Sequence, residues 1–190
     1  MSKNPNPQGK GQVPVLAELA QGRSAAARVA PKRIEQVSTE LFTSLFILES
    51  EFRFRPVVGR PYWLYQKEDH FRLSIIPPHG WDSRISGRYI GECELQPDMT
   101  WTLQLAEEVA EDEAFLAFLE DKRKALESEL AEAERVEDAL PRFKANFPFY
   151  QRVFAYALSS SLDASMDRSG IKGLSYEEAR AQLTDQSDSE

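Results

Sequence analysis

The sequence predicts an α+β protein, in which a small antiparallel sheet of three or four strands packs with a long preceding helix and a following helical hairpin. Three observations predict this class. Apolar residues recur at steps of three and four in the first and last thirds of the chain. Between residues 57 and 103 they alternate with period two. The 190 residues, 42% of them hydrophobic, are enough for one domain with a core.

The first long helix is predicted over residues 31–55. Residues 1–12 show no apolar pattern, so we expect a disordered arm ahead of a single domain that spans residues 13–183. Pro31 suits the first position of the helix, and Arg55 precedes a proline and therefore suits its end. The face that repeats with helical spacing contains Ile34, Val37, Leu41, Leu45, Leu48 and Phe52.

The middle of the chain predicts a β meander over residues 57–103. Its strands are expected at 62–65, 71–76 and 87–95, with a possible fourth at 99–103. A sheet this small needs a helix against it. Strict alternation assigns the following residues to the core face: Tyr62, Leu64, Phe71, Leu73, Ile75, Tyr89, Cys93 and Leu95.

The remainder predicts a helical hairpin over residues 105–166 and a short helix over 176–183. The hairpin shows an apolar stripe opposite an acidic face, and Pro141 interrupts it. The stripe consists of Val109, Leu116, Leu119, Leu126 and Leu130, with Phe115 and Phe118 beside it. Ser175 and Glu178 form the pattern of a capping box, which marks the start of the last helix. We expect residues 184–190 to be a frayed acidic tail.

Composition favours a cytoplasmic protein without a membrane segment. No apolar run approaches the roughly 20 residues that span a bilayer, and the first residues lack the apolar core of a secretory signal. The single cysteine fits a reducing compartment. The net charge of −8 disfavours general phosphate-backbone binding. Residues 1–33 nevertheless carry six basic side chains against one acidic one, so nucleic-acid contact through this arm is kept as an alternative.

Residue types that support catalysis or metal binding are sparse. His70, His79 and Cys93 do not show the ligand spacing of a zinc site, so no metal and no cofactor are predicted. Cys93 could be grouped with His79 and Asp82 as a nucleophilic triad, but its place within a strand favours a buried structural cysteine. An enzyme is therefore the less favoured interpretation.

The second face of the sheet and the loop from Pro77 to Arg84 are the predicted binding patch. This face mixes aromatic side chains with arginines, a combination that suits an anionic or planar group. Either another helix covers it, or it is exposed and binds a peptide, a ligand or another subunit. The candidate residues are Trp63, Tyr65, Arg72, His79, Trp81, Asp82, Arg84 and Arg88.

Part of this β region resembles a known family. The segments that carry the resemblance are Pro61-Tyr62-Trp63-Leu64-Tyr65, Ser74 to Trp81, Tyr89-Ile90-Gly91 and Asp98-Met99-Thr100-Trp101-Thr102. They are similar to domain-of-unknown-function family 2452 over about residues 56–103. Trp81 is one residue later than in the family pattern, and Thr100 replaces a serine. The resemblance implies a compact aromatic-rich β unit beside helices and implies no activity.

The function expected from the sequence is a non-enzymatic interaction or scaffold module. Its partner would be another protein or a second copy of the chain, so a homo-oligomer is possible. The first alternative is a small-molecule-binding protein or enzyme with a pocket near the 77–88 loop, where Asp82 and His79 could act as acid or base. The second alternative is the nucleic-acid contact through the basic arm.

Overall fold

The computed structural model describes residues 29–80 and 86–187, with side chains described as far as residue 182. Its architecture confirms the predicted α+β class. The strands are β1 (Pro61–Lys67), β2 (His70–Ser74), β3 (Arg88–Leu95) and β4 (Trp101–Leu105). The helices are α1 (Ile34–Leu48), α2 (Glu107–Ala110), α3 (Glu113–Glu132), α4 (Phe149–Ser169) and α5 (Tyr176–Ser187). The predicted arm at residues 1–12 lies outside the described residues.

Helix α1 is shorter than predicted at both ends. It begins at Ile34 rather than Pro31, and it ends at Leu48 rather than Arg55. The chain then leaves the helix because the backbone of Glu51 pairs with the edge of β2. The Glu51 amide donates to the Phe71 carbonyl at 2.8 Å, and the Leu73 amide donates to the Glu51 carbonyl at 3.1 Å. Phe52 is buried as its helical spacing suggested, but from an extended segment.

The sheet is antiparallel and has the strand order β2-β1-β3-β4, so the predicted meander is wrong. In a meander each strand pairs with the next in sequence, whereas here β3 pairs with β1. The segment between β2 and β3, residues 75–87, is long enough to pass the end of β1. A tight hairpin could not make this crossing, which spans two strand spacings of about 4.8 Å each.

A β-bulge in β3 changes which residues face the core. Leu64 pairs with Gly91, but Tyr65 pairs with Tyr89, so Ile90 is the extra residue. Ile90 is fully buried in the core, and Tyr89 lies beside Tyr65 on the other face. The alternation had placed Tyr89 on the core face and Ile90 opposite, and the bulge reverses both assignments.

The core forms between the helices and one face of the sheet. Leu64, Cys93 and Trp101 from the strands join Leu41 and Leu158 from the helices in this core. The burial of Cys93 confirms its predicted structural position. Helices α3 and α4 were predicted as a hairpin, yet α4 packs most extensively on α1. Among the described residues, no helix combines the length and apolar character needed to cross a membrane.

The C-terminal helix begins at the predicted capping box. Ser175 Oγ accepts a hydrogen bond from the Glu178 amide at 3.3 Å, and the Glu178 carboxylate accepts one from the Ser175 amide at 2.9 Å. Helix α5 then continues to Ser187, beyond the predicted end at residue 183. The fraying expected of residues 184–190 stays a prediction, and residues 188–190 lie outside the described part of the chain. The preceding helix, α4, ends at Ser169, where Gly170 takes a left-handed φ of 73°.

Candidate functional site: an aromatic groove

An open groove of about 610 Å³ lies where the end of α1, the edge strand β2, helix α3 and the start of α4 meet. We call it the aromatic groove because five phenylalanines line it: Phe46, Phe52, Phe71, Phe118 and Phe147. The polar lining residues are Glu49, Ser50, Glu51, Arg53, Asp69, His70, Lys122 and Gln151, and Leu48 and Pro148 complete the walls. Its volume is within the range of sites that bind small molecules or side chains.

The rings form a continuous surface around Phe71. The Phe71 ring packs edge-on against Phe46 at 4.9 Å between centroids and parallel to Phe118 at 6.0 Å. Phe46 is buried, whereas Phe71 is half-buried and Phe118 is 36% exposed. The accessible apolar surface therefore comes mainly from β2 and α3, with Phe46 supporting it from below.

Helix α3 is held in place by Asp112, which acts as its N-cap. The Asp112 carboxylate accepts hydrogen bonds from the amides of Ala114 at 3.0 Å and Phe115 at 3.1 Å. It also forms an ion pair with Arg88 at 2.7 Å. These hydrogen bonds, first that from the Phe115 amide and then that from Arg88, lower the pKa of Asp112. One carboxylate thus joins β3 to the first turn of the helix that presents Phe118.

Segment 49–53 forms the opposite wall and is tied to α4. The buried Gln151 side chain donates a hydrogen bond from Nε2 to the Phe52 carbonyl at 3.3 Å. Together with the pairing of Glu51 to β2, this bond fixes the backbone on both sides of Phe52. Hydrogen bonds within the protein therefore hold the walls of the groove in place without a bound partner.

The rim of the groove carries both signs of charge. The Lys122 ammonium lies 5.8 Å from the centre of the Phe118 ring, a cation–π distance. Arg53 is 91% exposed and only loosely paired with Glu51 at 3.8 Å. Glu49 and Asp69 contribute negative charge on the same rim. Such a rim suits a partner with polar groups of either sign around an apolar centre.

Of the five predicted patch residues that the structure describes, Arg88 lies on the opposite face of the sheet from Trp63, Tyr65 and Arg72. Arg88 was expected on the second face, but the bulge turns it to the core side. There it pairs with Asp112 and lies 5.7 Å from the Phe115 ring, in a depression of about 370 Å³ adjoining the groove. His79 is exposed in a short 3-10 turn at Pro78–Gly80. Trp81, Asp82 and Arg84 lie outside the described residues.

The other predicted residues lie on the second face, as expected. Trp63 is half-buried, and Arg72 is 52% exposed and lies 3.8 Å from Glu51. Tyr65 is only 2% exposed, and its hydroxyl donates to the Ile76 carbonyl at 2.9 Å. The chain that follows β2 therefore covers part of the second face of the sheet at Tyr65. A binding role for these residues stays a prediction.

Among the described residues, neither a metal-ligand cluster nor an activated cysteine is present. No three His, Cys, Asp or Glu side chains of the described ranges are placed to hold a metal ion. Cys93 is fully buried, and this burial raises the pKa of its thiol, so it stays protonated at neutral pH. Cys93 is therefore a buried structural side chain and not an activated nucleophile.

The sequence analysis missed the aromatic groove because its walls come from four distant segments. Phe118 was noted only as lying beside the stripe of α3. Within that helix, Leu126 and Leu130 of the predicted stripe are buried, but Leu116 is 39% exposed and Phe115 is buried in its place. One signal in the sequence could have indicated the groove. Phe118 lies on a helix face otherwise rich in charge, and Lys122 follows it by four residues, which places the two side chains next to each other.

Comparison with known protein families supports the resemblance predicted from the β region. Residues 31–122 match a family model described as Protein of unknown function (DUF2452). This match confirms the resemblance and extends it beyond residues 56–103 to α1 and the first half of α3. It includes three walls of the aromatic groove, whereas the wall from α4 lies outside it. Neither the curated proteins nor the solved structures contain a match to this chain.

Proposed function

We propose that the protein is a non-enzymatic interaction module that binds a polypeptide partner through the aromatic groove. The observation that carries this proposal is the open, preformed groove, whose accessible apolar surface comes from Phe71, Phe118 and Phe147. Leaving such rings in water is unfavourable, and burying one phenylalanine fully stabilises a complex by about 1.5–3 kcal/mol. A side chain inserted by a partner would gain this free energy without reorganising the walls.

The rim favours a polypeptide over a wholly apolar ligand. Cationic Arg53 and Lys122 line the groove together with acidic Glu49 and Asp69. Protein interfaces commonly combine an apolar anchor with a polar rim that sets orientation. The mixed charge also fits a partner that carries backbone amides and carbonyls, which are neutral but polar. The interaction module expected from the sequence therefore gains a defined candidate surface.

Selection of displayed random peptides against the purified protein tests this proposal. We expect peptides with an apolar or aromatic anchor to bind the wild type, and Phe118→Ser to weaken them at least about tenfold. Leu116→Ser is the matched control, because Leu116 is on the same helix, is 39% exposed against 36% for Phe118, and does not line the groove. This control should bind the peptides like the wild type.

Amide chemical shifts locate the bound peptide. Binding in the groove should perturb the amides of Phe71, Phe118 and Gln151 more than those of β4 at the far edge of the sheet. The proposal is wrong if no peptide is enriched, if Phe118→Ser and Leu116→Ser weaken binding equally, or if the perturbed amides lie elsewhere. Thermal unfolding of both variants shows whether each remains folded during the measurement.

A further inference from the structure

The second face of the sheet, which lies opposite the core face, has an exposed acidic half. One cross-strand row runs from Trp63 of β1 through Glu92 of β3 to Gln104 of β4, because these residues pair directly with their neighbours. The next row pairs Glu94 with Thr102. Glu92, Thr102 and Gln104 are exposed, and Trp63 and Glu94 are half-buried. We call these five residues the acidic half-face.

The two carboxylates of the acidic half-face differ in their existing contacts. Gln96 Nε2 donates to Glu94 Oε1 at 3.3 Å and to Thr102 Oγ1 at 3.2 Å, so Glu94 is held beside β4. The Glu92 carboxylate has no hydrogen-bond or ion-pair partner among the described residues. Its charge lies near the aromatic rings, since burial first and Glu92 second raise the pKa of Tyr89. Glu92 can therefore pair with a group from outside the molecule.

The structure changes the charge that this face presents. Arginines beside aromatic side chains suited an anionic group, but Arg88 lies on the core side. Arg72 stays on the second face, on the other side of Trp63 from Glu92, and lies 3.8 Å from Glu51. The half of the face formed by β3 and β4 therefore carries only negative charge. The net charge of −8 adds to the attraction of a cation.

We propose that the acidic half-face binds an arginine-rich segment of a partner polypeptide. Side chains that pair directly across two strands have Cβ atoms about 4.5–5.5 Å apart, so one group can contact both Trp63 and Glu92. A guanidinium fits this pair, because its flat face stacks on an indole while its edge donates two parallel hydrogen bonds to a carboxylate. A lysine ammonium has no flat face and acts as a point charge.

A basic polypeptide is favoured over a second copy of this chain. Each copy would bring its own Glu92 and Glu94 to the contact, and the net charge of −8 on both copies would oppose association. A basic segment is attracted by the acidic half-face and by the molecule as a whole. This inference goes beyond the aromatic groove, which the helices and the β2 edge form, and neither proposal depends on the other.

Fluorescence anisotropy of a short labelled peptide of alternating arginine and glycine, titrated with the full chain, tests this proposal. The wild type should bind the peptide, and a peptide with lysine in place of each arginine should bind at least about threefold more weakly. Glu92→Lys should weaken binding of the arginine peptide at least about tenfold, because it places like charges together. Glu92→Gln, which only removes the charge, should weaken it about threefold.

Glu129→Lys is the matched control for charge. Glu129 is exposed on α3, and its substitution changes the net charge by the same amount as Glu92→Lys. It should weaken binding less than about twofold, since salt screens a distant exposed charge. Phe118→Ser should leave binding unchanged, which separates this site from the aromatic groove. Thermal unfolding shows whether each variant remains folded.

Amide chemical shifts show where the arginine peptide binds. The amides of Trp63, Glu92 and Gln104 should be perturbed more than those of the helices. The inference is overturned if the wild type does not bind the peptide or if the arginine and lysine peptides bind equally. Equal weakening by Glu92→Lys and Glu129→Lys also overturns it, because attraction to the net charge alone would then explain binding. A peptide that Phe118→Ser releases occupies the groove instead, which has the same consequence.

Discussion

At the scale of single residues, Tyr65 shows how a buried hydroxyl fixes the chain after β2. Its hydroxyl donates to the Ile76 carbonyl at 2.9 Å, and its ring is 5.7 Å from that of Tyr89. We expect Tyr65→Phe to lower the free energy of unfolding by about 1 kcal/mol, since the partly buried hydrogen bond to the Ile76 carbonyl is lost. Urea denaturation measures this change. Tyr156→Phe is the control, because Tyr156 is 40% exposed, and it should change stability by less than about 0.5 kcal/mol.

The same tyrosine gives a test in alkaline solution. Burial, with a smaller contribution from Tyr89, raises the pKa of Tyr65 to about 12. A raised pKa means that the neutral phenol stabilises the fold fully below its usual pKa of about 10, and that this stability is lost as the pH rises toward 12. Phenolate absorbance of the folded wild type should therefore include a step near pH 12. If Tyr65→Phe leaves that step unchanged, the assignment is wrong.

Residue positions could be predicted from sequence where the strand alternates regularly, and not beyond the bulge. Tyr62, Leu64 and Leu95 are buried as predicted. Arg88 and Tyr89 are reversed because one extra residue, Ile90, enters β3. Gly91 is a local mark of the bulge, because glycine inside a strand often accompanies one, but it does not tell which neighbouring residue is the extra one. The predicted patch therefore combined residues from both faces.

At the scale of elements, helix α3 depends on a cap that also binds another strand. Asp112 accepts hydrogen bonds from the amides of Ala114 and Phe115 and pairs with Arg88. Asp112→Asn keeps a capping oxygen and loses the charge, whereas Asp112→Ala loses both. We expect the melting temperature to fall in the order wild type, Asp112→Asn, Asp112→Ala, with about 2–4 °C between the first and the last.

Hydrogen exchange distinguishes this cap from a general effect on stability. Amides in the first turn of α3 should lose protection in Asp112→Ala before those of α4 do. Equal melting temperatures for the three proteins would contradict the role of Asp112. Peptide binding by Asp112→Ala is a second measurement. A displaced first turn of α3 moves Phe115 and Phe118 together, so binding should weaken even while the chain stays folded.

The ends of elements were the least predictable features of the chain. The helical spacing of apolar residues continues from Ile34 to Phe52, yet α1 stops at Leu48. What ends it is a contact distant in sequence, the pairing of Glu51 with the backbone of β2, and a local pattern contains no trace of it. The start of α5, by contrast, was predictable because its cap consists of the adjacent residues Ser175 and Glu178.

At the scale of the whole molecule, Lys32 joins three parts of the chain. Its ammonium donates to Asp98 Oδ2 at 2.6 Å, in the turn between β3 and β4, and also to Glu40 of α1. The Thr100 hydroxyl donates to Asp98 Oδ1 at 2.6 Å. Asp98→Asn should lower the free energy of unfolding by about 1–3 kcal/mol, because charged hydrogen bonds are replaced by weaker neutral ones. Asp121→Asn, on the exposed side of α3, is the control.

The pH dependence of this difference follows from the two pKa shifts. Partial burial alone would raise the pKa of Asp98, but hydrogen bonds from Lys32 and Thr100 outweigh it and lower the pKa. For Lys32, burial opposes the charge, and the bonds to Asp98 and Glu40 outweigh it and raise the pKa. The stability from Asp98 is thus present above its usual pKa of about 4 and lost as the pH falls further. The stability from Lys32 is fully present below its usual pKa of about 10 and is lost as the pH rises from there through the raised pKa.

Denaturation of the wild type and Asp98→Asn across pH measures this window. The wild type should have the larger free energy of unfolding, by an amount that is nearly constant from about pH 5 to about pH 9 and shrinks below about pH 4. If this difference in free energy of unfolding stays the same in acid, the charge of Asp98 does not contribute to stability. The fold class was predictable from composition and periodicity, whereas a contact between residues 32 and 98 depends on the assembled fold.

Because of the bulge at Ile90, the number of residues in β3 determines on which face of the sheet Arg88 and Tyr89 lie. With one residue fewer, Arg88 would project from the opposite face and lose contact with Asp112. Conservative substitution along β3 would then be tolerated more readily than any deletion or insertion between Arg88 and Gly91. In homologous or redesigned chains, the number of residues between these two positions should therefore indicate whether the contact with Asp112 is kept. The identity of the residues between them should matter less.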